Sequence, residues 1–298
     1  MLISAYTINS FRTACKAGIV EDSSHPNTAQ VTTSHRSAFR EFDFHGLRLH
    51  SVTSQSLLGY VDVVLRDKTP CVLFGYSLTV IPRLKDEPEI ATLGNSFDIL
   101  LPEGKGIFML ANLFGAKLEE HISLPDSVQL LLGHATIRGY SVFLLGATKE
   151  INAKALENVR RQYPGISSIQ GINGYYGEQE EQDVFEAIRK ADPDIILIGI
   201  SSPKKERIAS RLRTYLQRGV IVPCGGVIDI LGGKARREPE FIRRSGMTWL
   251  YRFAQEPRRL FRPLLVNGLR FMFVLFPIVI WKRLITRDGS FSFIRPPR

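Results

Sequence analysis

Asp194-Ile195-Ile196-Leu197-Ile198-Gly199-Ile200 carries no polar side chain after its first position. A run with no polar face reads as a strand buried on both sides, as in a parallel sheet covered by helices. Downstream, Lys204 to Gln217 has a helical pattern, and Val220-Ile221-Val222-Pro223 reads as a strand opening on Cys224-Gly225-Gly226. Upstream, Tyr140 to Gly146 reads as a strand stopped by glycine, Ile151 to Tyr163 as a helix, Ile166 to Ile172 as a strand and Gln179 to Ala191 as a helix. Strands alternating with helices predict a parallel α/β sheet with right-handed crossovers.

The first half repeats the alternation less regularly. Phe42 to Leu49 reads as a strand pair or hairpin around Gly46, Ser54 to Leu65 as a helix, and Cys71 to Tyr76 as a buried strand. Leu78 to Leu93 reads as a helix interrupted early by Pro82. Phe97 to Leu101 is another apolar strand; it runs into Pro102-Glu103-Gly104-Lys105-Gly106 and then a helix over Ile107 to Phe114. Pro125 to Thr136 is a further helix. Glycine permits a tight turn and close approach of a ligand, and a helix start offers unpaired N–H groups to an anion. In open α/β sheets ligands sit outside the carboxyl ends of the strands. Tyr76, Glu103, Gly146, Ser201-Ser202-Pro203 and Gly225-Gly226 all fall at such ends. The expected fold is a Rossmann-like parallel-sheet core in two halves.

A chain of 298 residues can bury a full core. Its net charge of +10 is concentrated at one end: residues 234–298 hold 15 Lys/Arg against 4 Asp/Glu, which leaves the rest at −1. A basic tail attracts phosphates, whether of lipid headgroups, diphosphate substrates or nucleic acid. Three widely spaced cysteines, Cys15, Cys71 and Cys224, make no disulfide framework and fit a reducing compartment. No Cys/His cluster has zinc-ligand spacing, so no metal and no cofactor are expected. The N-terminus lacks a signal pattern, so no export is expected.

Three segments are expected. Residues 1–38 are polar and irregular, 39–233 form the α/β core, and 234–298 form a basic, aromatic helical appendage. If Trp249 to Arg262 is one helix, Arg252, Arg258, Arg259 and Arg262 share an arc at ~100° per residue, although Pro257 is placed to break or start a helix there. The apolar run Phe271 to Trp281, followed by Lys282 and Arg283, is shorter than the ~20 residues that span a bilayer. It fits a helix lying in the membrane interface, or else one docked on the core or on a partner chain.

Several pieces together resemble the WecG/TagA/CpsF family of bacterial glycosyltransferases. They are Leu101-Pro102-Glu103-Gly104-Lys105-Gly106, Gly174-Tyr175-Tyr176, Ser202-Pro203-Lys204-Lys205-Glu206, Gly225-Gly226-Val227-Ile228-Asp229, Arg237-Glu238-Pro239, and Trp249-Leu250-Tyr251-Arg252 with Glu256-Pro257-Arg258-Arg259. Order and spacing match from about residue 43 to 265. The resemblance implies an inverting, metal-independent transferase. It would move a sugar from a nucleotide sugar, a UDP-sugar by expectation, to a polyprenyl-diphosphate-linked sugar in surface polysaccharide assembly. Its place would be peripheral, on the cytoplasmic face of the cytoplasmic membrane. The oligomeric state stays open, homo-oligomer included.

The resemblance puts Glu103 where the family usually has the Asp proposed as general base. Lys205 replaces a glutamine of the family's Pro-Lys-Gln-Glu, Tyr76 or Ser77 takes the place of an Asn, and Thr248 that of a Glu before Trp. Glu103 is therefore expected as base on the acceptor hydroxyl, the alternative being a solvated loop carboxylate. Lys204 and Lys205 are expected on the donor diphosphate, or on a solvated helix face. Glu206 would orient a sugar hydroxyl, pair with a lysine, or cap the helix. Gly104, Gly106, Gly225 and Gly226 would let backbone approach the donor, with Asp229 orienting that loop or a ribose hydroxyl. Tyr76 would stack on a base or sugar, or else lie in the core. Arg237, Arg252, Arg258, Arg259 and Arg262 would clamp the acceptor diphosphate and lipid headgroups, or serve solubility. His121 and His134 read as helix-surface residues.

Rival readings remain. One is a non-catalytic homologue that binds lipid diphosphate within a polysaccharide assembly complex. A nicotinamide-dependent enzyme would need the full Gly-x-Gly-x-x-Gly turn, which is missing. Nucleic-acid binding has no recognition motif to support it.

Overall fold

The computed structural model describes residues 38–44, 46–77, 80–84, 86–245, 247–255, 257–261, 266–270 and positions 273, 277 and 281. The polar N-terminal segment, Arg262 and most of the 271–281 apolar run lie outside the described residues.

The chain opens with an antiparallel hairpin, β1 (Arg40–Phe44) and β2 (Leu47–Ser51), in which Phe42 faces Leu49. Helix α1 (Ser54–Arg66) begins at a capping box in which the Thr53 hydroxyl accepts from the Ser56 N–H. There follow β3 (Pro70–Tyr76), α2 (Pro88–Ser96), β4 (Ile99–Pro102), α3 (Lys105–Leu113) and α4 (Leu124–Arg138). The second half is β5 (Val142–Gly146), α5 (Lys149–Gln162), β6 (Ile169–Ile172), α6 (Glu181–Ala191), β7 (Ile195–Gly199), α7 (Lys204–Tyr215), β8 (Gly219–Val222) and α8 (Val227–Leu231). Beyond the core come α9 (Glu240–Ser245), α10 (Thr248–Gln255), α11 (Pro257–Leu260) and α12 (Asn267–Arg270).

Strands β3 to β8 form one six-stranded sheet in the order β4-β3-β8-β7-β5-β6, and every neighbouring pair is parallel. The two halves of the alternation thus meet in a single sheet, with β8 inserted between β3 and β7. Strand β7 shows why its run is apolar throughout. Ile195 and Leu197 enter the core on one face, while Ile196 and Ile198 enter the core on the other. Helices α1, α4, α5 and α8 cover the first face; α2, α3, α6 and α7 cover the second. The hairpin docks on the β4 edge, where the buried His50 Nδ1 accepts from the Leu100 N–H at 2.9 Å. That contact covers an edge strand that would otherwise offer unpaired backbone groups.

The stretch expected as one helix from Leu78 to Leu93 is different. Pro82 lies in a short 3₁₀ turn, Ile81–Arg83, and the α-helix starts only at Pro88. Proline fits the first turn of a helix because its missing N–H has no partner there anyway. Two prolines six residues apart thus make a turn and a new helix start, not one continuous helix. Of the stretch from Trp249 to Arg262 the structure describes α10 and α11, while Glu256 between them and Arg262 lie outside the described residues.

Candidate active site

At the carboxyl ends of β5 and β7 the chain carries Gly146 and Gly199, side by side in the parallel register. Gly146 has φ +150°, and a Cβ there would come within 2.5 Å of the Gly199 carbonyl oxygen. The two backbones approach at a distance that side chains forbid.

Glu103 follows directly on β4. Its N–H donates to the Tyr76 carbonyl at 2.8 Å, so the β3–β4 ladder fixes its backbone. Burial pushes its carboxyl above the usual Glu range; Lys205 and Arg252 pull it back down, and Glu206 pushes it further up. The net direction is upward. Burial disfavours the charged form, and here the nearby cations only partly offset it. A Cβ on Gly75 would lie 3.1 Å from the Glu103 Cβ and 3.1 Å from Leu124 Cγ, so glycine at 75 leaves the carboxylate its place.

The first turn of α7 brings the opposing charges. Lys205 is 12% exposed; its Nζ donates to the Pro223 carbonyl at 3.3 Å, lies 5.3 Å from the Phe74 ring centre and stands 3.9 Å from Glu206 Oε1. Glu206 is fully buried and accepts the Ser202 hydroxyl at 2.6 Å through Oε1, while its Oε2 has no hydrogen-bond partner among the described residues. Lys204 points elsewhere, with Nζ 4.5 Å from the centre of the Tyr176 ring. The two lysines expected together on one diphosphate therefore separate.

Gly225 takes φ +57°, a left-handed conformation that suits glycine, and its N–H shares the Ile198 carbonyl with that of Cys224. Gly226 caps α8. The Asp229 carbonyl accepts from the N–H groups of Lys234 and Ala235, and its carboxylate lies 3.4 Å from Lys234 Nζ. Asp229 thus holds the turn by which the chain leaves the core. Burial and Glu103 push the Cys224 thiol up to about 12 against the pull of Lys205, which keeps it un-ionised beside the site.

Beyond the core, Arg252 on α10 is half-buried and acts electrostatically on Glu103. Arg237 hydrogen-bonds Asp126 on α4, and Arg243 reaches the same oxygen at 3.2 Å. Gln255 bonds the backbone N–H and C=O of Arg236 at 2.8 and 3.0 Å, tying α10 to the segment leaving the core. Arg258 is exposed, and the side chain of Arg259 lies outside the described residues.

Three expectations need correction. Tyr76 does not offer its ring for stacking: it is 0% exposed, packs edge-on to Phe74 at 5.1 Å, and donates its hydroxyl to Asn95 at 3.0 Å. Phe74 and Tyr76 are two apart on one strand and share a face, a period-2 signal already present in the sequence. His134 is not a surface residue; it is buried on α4 with Nε2 2.6 Å from Asp62. His121 is not on a helix at all. It precedes α4, its ring lies edge-on to Phe108 at 5.5 Å, burial lowers its proton affinity, and its Nε2 is buried without a partner among the described residues. Ser77, Gly104 and Gly106 stand at the β3 and β4 ends, with Gly104 as the N-cap of α3. Among the described residues no three His, Cys, Asp or Glu side chains gather in a way that could hold a metal ion.

A doubly covered parallel sheet with carboxylates and cations beyond its strand ends defines a Rossmann-like ligand-binding protein. The sequence matches the Glycosyl transferase WecG/TagA/CpsF family over residues 42–287, and the chain belongs to that family. It is similar to an N-acetylglucosaminyldiphosphoundecaprenol N-acetyl-beta-D-mannosaminyltransferase of Bacillus spizizenii, 31% identical over 172 residues that cover 58% of this chain and 66% of that protein. A protein of the same name from Bacillus subtilis is 28% identical over 176 residues, covering 59% and 68%. The chain thus matches about two thirds of the length of these relatives.

Proposed function

We propose that this protein transfers a sugar from a nucleotide sugar, a UDP-sugar, to a sugar carried on a polyprenyl diphosphate, in the assembly of a bacterial surface polysaccharide. The observation that carries the reading is Glu103, a carboxylate fixed at the end of β4, raised by burial, with Lys205 and Arg252 in electrostatic reach. A base must hold its proton once it has taken it, and burial favours the neutral acid. Glu103 takes the proton of an acceptor hydroxyl, whose oxygen attacks the anomeric carbon of the donor. The bond from that carbon to the diphosphate oxygen breaks, and the nucleoside diphosphate leaves with the charge. The positive dipole ends at the starts of α3 and α7 and the Arg252 guanidinium stabilise that charge. Glu206 Oε2 orients a sugar hydroxyl, and the glycine turn at 225–226 admits the nucleotide.

The segment from 234 onward supplies the acceptor and membrane side. Its net +11 suits a diphosphate and an anionic lipid surface. No helix among the described residues is long and apolar enough to cross a membrane. We place the protein peripherally on the cytoplasmic face. The relatives' names specify an acceptor of N-acetylglucosamine on undecaprenyl diphosphate and transfer of N-acetylmannosamine; those two sugars are the first to try. The test is a panel of nucleotide sugars offered with that acceptor, with and without chelator. Transfer from one donor, unaffected by chelator, is the expected result. UDP binding with no transfer from any donor supports instead a non-catalytic lipid-diphosphate-binding subunit.

A further inference from the structure

Helix α3 has no polar outer face. It packs Ile107 and Ala111 into the core, and the residues it leaves exposed are Met109 and Leu113, at 67% and 68%. They are four apart, so they lie one above the other on the same side. Phe108 and Leu110 beside them are half-buried, and Asn112 turns its amide to the Leu118 backbone. The other long helices on this face of the sheet differ. α7 exposes Arg207, Arg211 and Thr214, and every exposed residue of α6 is polar or charged. A helix against water keeps such residues outside, and one that is apolar all round is covered by something apolar.

Three observations indicate what covers it. Lys105 stands in the first turn of α3, and beyond its far end Lys117 is exposed, with the Arg40 guanidinium hydrogen-bonded to its carbonyl. The acids that follow, Glu119 and Glu120, bond Ser51 and Ser54. An apolar strip between cations suits an anionic lipid surface. Next, α3 springs from the turn that carries Glu103, and Met109 and Leu113 lie roughly 10–15 Å beyond it at a helical rise of ~1.5 Å per residue. A patch that dips ~5–10 Å into the headgroup boundary holds the Glu103 turn close to the level of a lipid-linked diphosphate. Finally, α12 lies against the Ile81–Arg83 turn, and Val266 just before it and Leu269 within it are 45% and 47% exposed. That turn follows β3 as α3 follows β4, and the two strands are neighbours. The basic segment therefore returns to the same end of the sheet and adds apolar side chains there. A second copy of the chain fits less well, since a stable interface needs ~800 Å² on each partner, far more than two side chains cover.

We propose that Met109 and Leu113 dip into the acyl boundary of an anionic membrane, so that α3 and the basic segment together turn the mouth of the candidate site to the bilayer. This rests on the membrane placement above and adds to it a contact made by the core itself. The charges of the segment supply the hold, and α3 sets depth and angle.

The test uses the full chain with Cys15→Ser; Cys71 and Cys224 are buried. A polarity-sensitive nitrobenzoxadiazole dye is attached through Met109→Cys, through Leu113→Cys or, as a control on the exposed side of α5, through Lys154→Cys. The vesicles are phosphatidylethanolamine with about a third phosphatidylglycerol. Dyes at 109 and 113 are expected to shift to the blue on the vesicles and to be quenched by spin-labelled acyl chains, and the dye at 154 to do neither. In a separate measurement, Met109→Ser combined with Leu113→Ser is expected to lower kcat/KM for an acceptor held in those vesicles by ~10-fold and to leave transfer to a soluble short-chain acceptor unchanged. Dyes at 109 and 113 that stay in water while the chain sediments with the vesicles refute this inference alone. A chain that does not sediment with them refutes the membrane placement too. An equal loss on both acceptors marks a structural role and overturns the proposal. A blue shift without lipid also overturns it. The face then belongs to a second copy if the shift grows with protein concentration, or to residues after Phe261 if it disappears in the chain that ends there. A wild type that transfers no sugar refutes the transferase reading, and the dyes still decide this contact.

Discussion

At the scale of single residues, Glu103 is the group on which the proposed chemistry turns. Its carboxyl is raised in the fold, so protonation favours the folded state. That stability is complete below the ordinary Glu range and is lost as pH rises through the raised value. At neutral pH the ionised group therefore costs stability. Glu103→Gln should raise the Tm at pH 7 by about 2–4 °C, a gain that vanishes in acid; scanning calorimetry at the two pH values checks it. Lys205 lowers the same carboxyl. Lys205→Met should therefore move the acidic limb of the pH–rate profile to higher pH, and a limb that moves down or stays contradicts the assignment. At this scale the sequence was only partly legible. The Glu-Gly-Lys-Gly turn marks Glu103 by its place between strand and helix. Glu206 carries a weaker signal, three residues before the buried Ala209 on α7.

Among the elements, positioning passes through a few contacts. The space for Glu103 exists because position 75 has no side chain. Gly75→Ala would press on both Glu103 and Leu124 by a few tenths of an ångström. Transfer should fall by about 10-fold with little loss of Tm, since misplacement costs rate more than stability. Asp126 joins α4 to the chain beyond the core through Arg237 and Arg243. Asp126→Ala should cost about 1 kcal/mol in urea unfolding and speed trypsin cleavage after residue 234. Strands were legible because their apolar runs stop at glycine or proline, and most helices because their period is clean. The stretch before Pro88 was not, because its apolar spacing suits a helix while two prolines divide it.

For the molecule as a whole, the order of strands was the part the sequence withheld. Alternation predicts a parallel sheet, but the insertion of β8 between β3 and β7 depends on pairings distant in the chain. The charge asymmetry, by contrast, is plain in the sequence. A chain ending at Phe261 retains α9 to α11 and Arg252 but loses 7 Lys/Arg. It should keep transfer to a soluble short-chain acceptor and lose sedimentation with anionic vesicles, and the binding of the full chain should weaken with salt. Equal sedimentation of the two chains would assign the membrane contact elsewhere. The central claim is that Glu103 is the base of a sugar transfer, and transfer by Glu103→Gln beside wild type tests it most directly. The account predicts a loss of ~10²–10⁴-fold in kcat with the nucleotide sugar still bound. A glutamine variant that transfers sugar within a few-fold of wild type would contradict it.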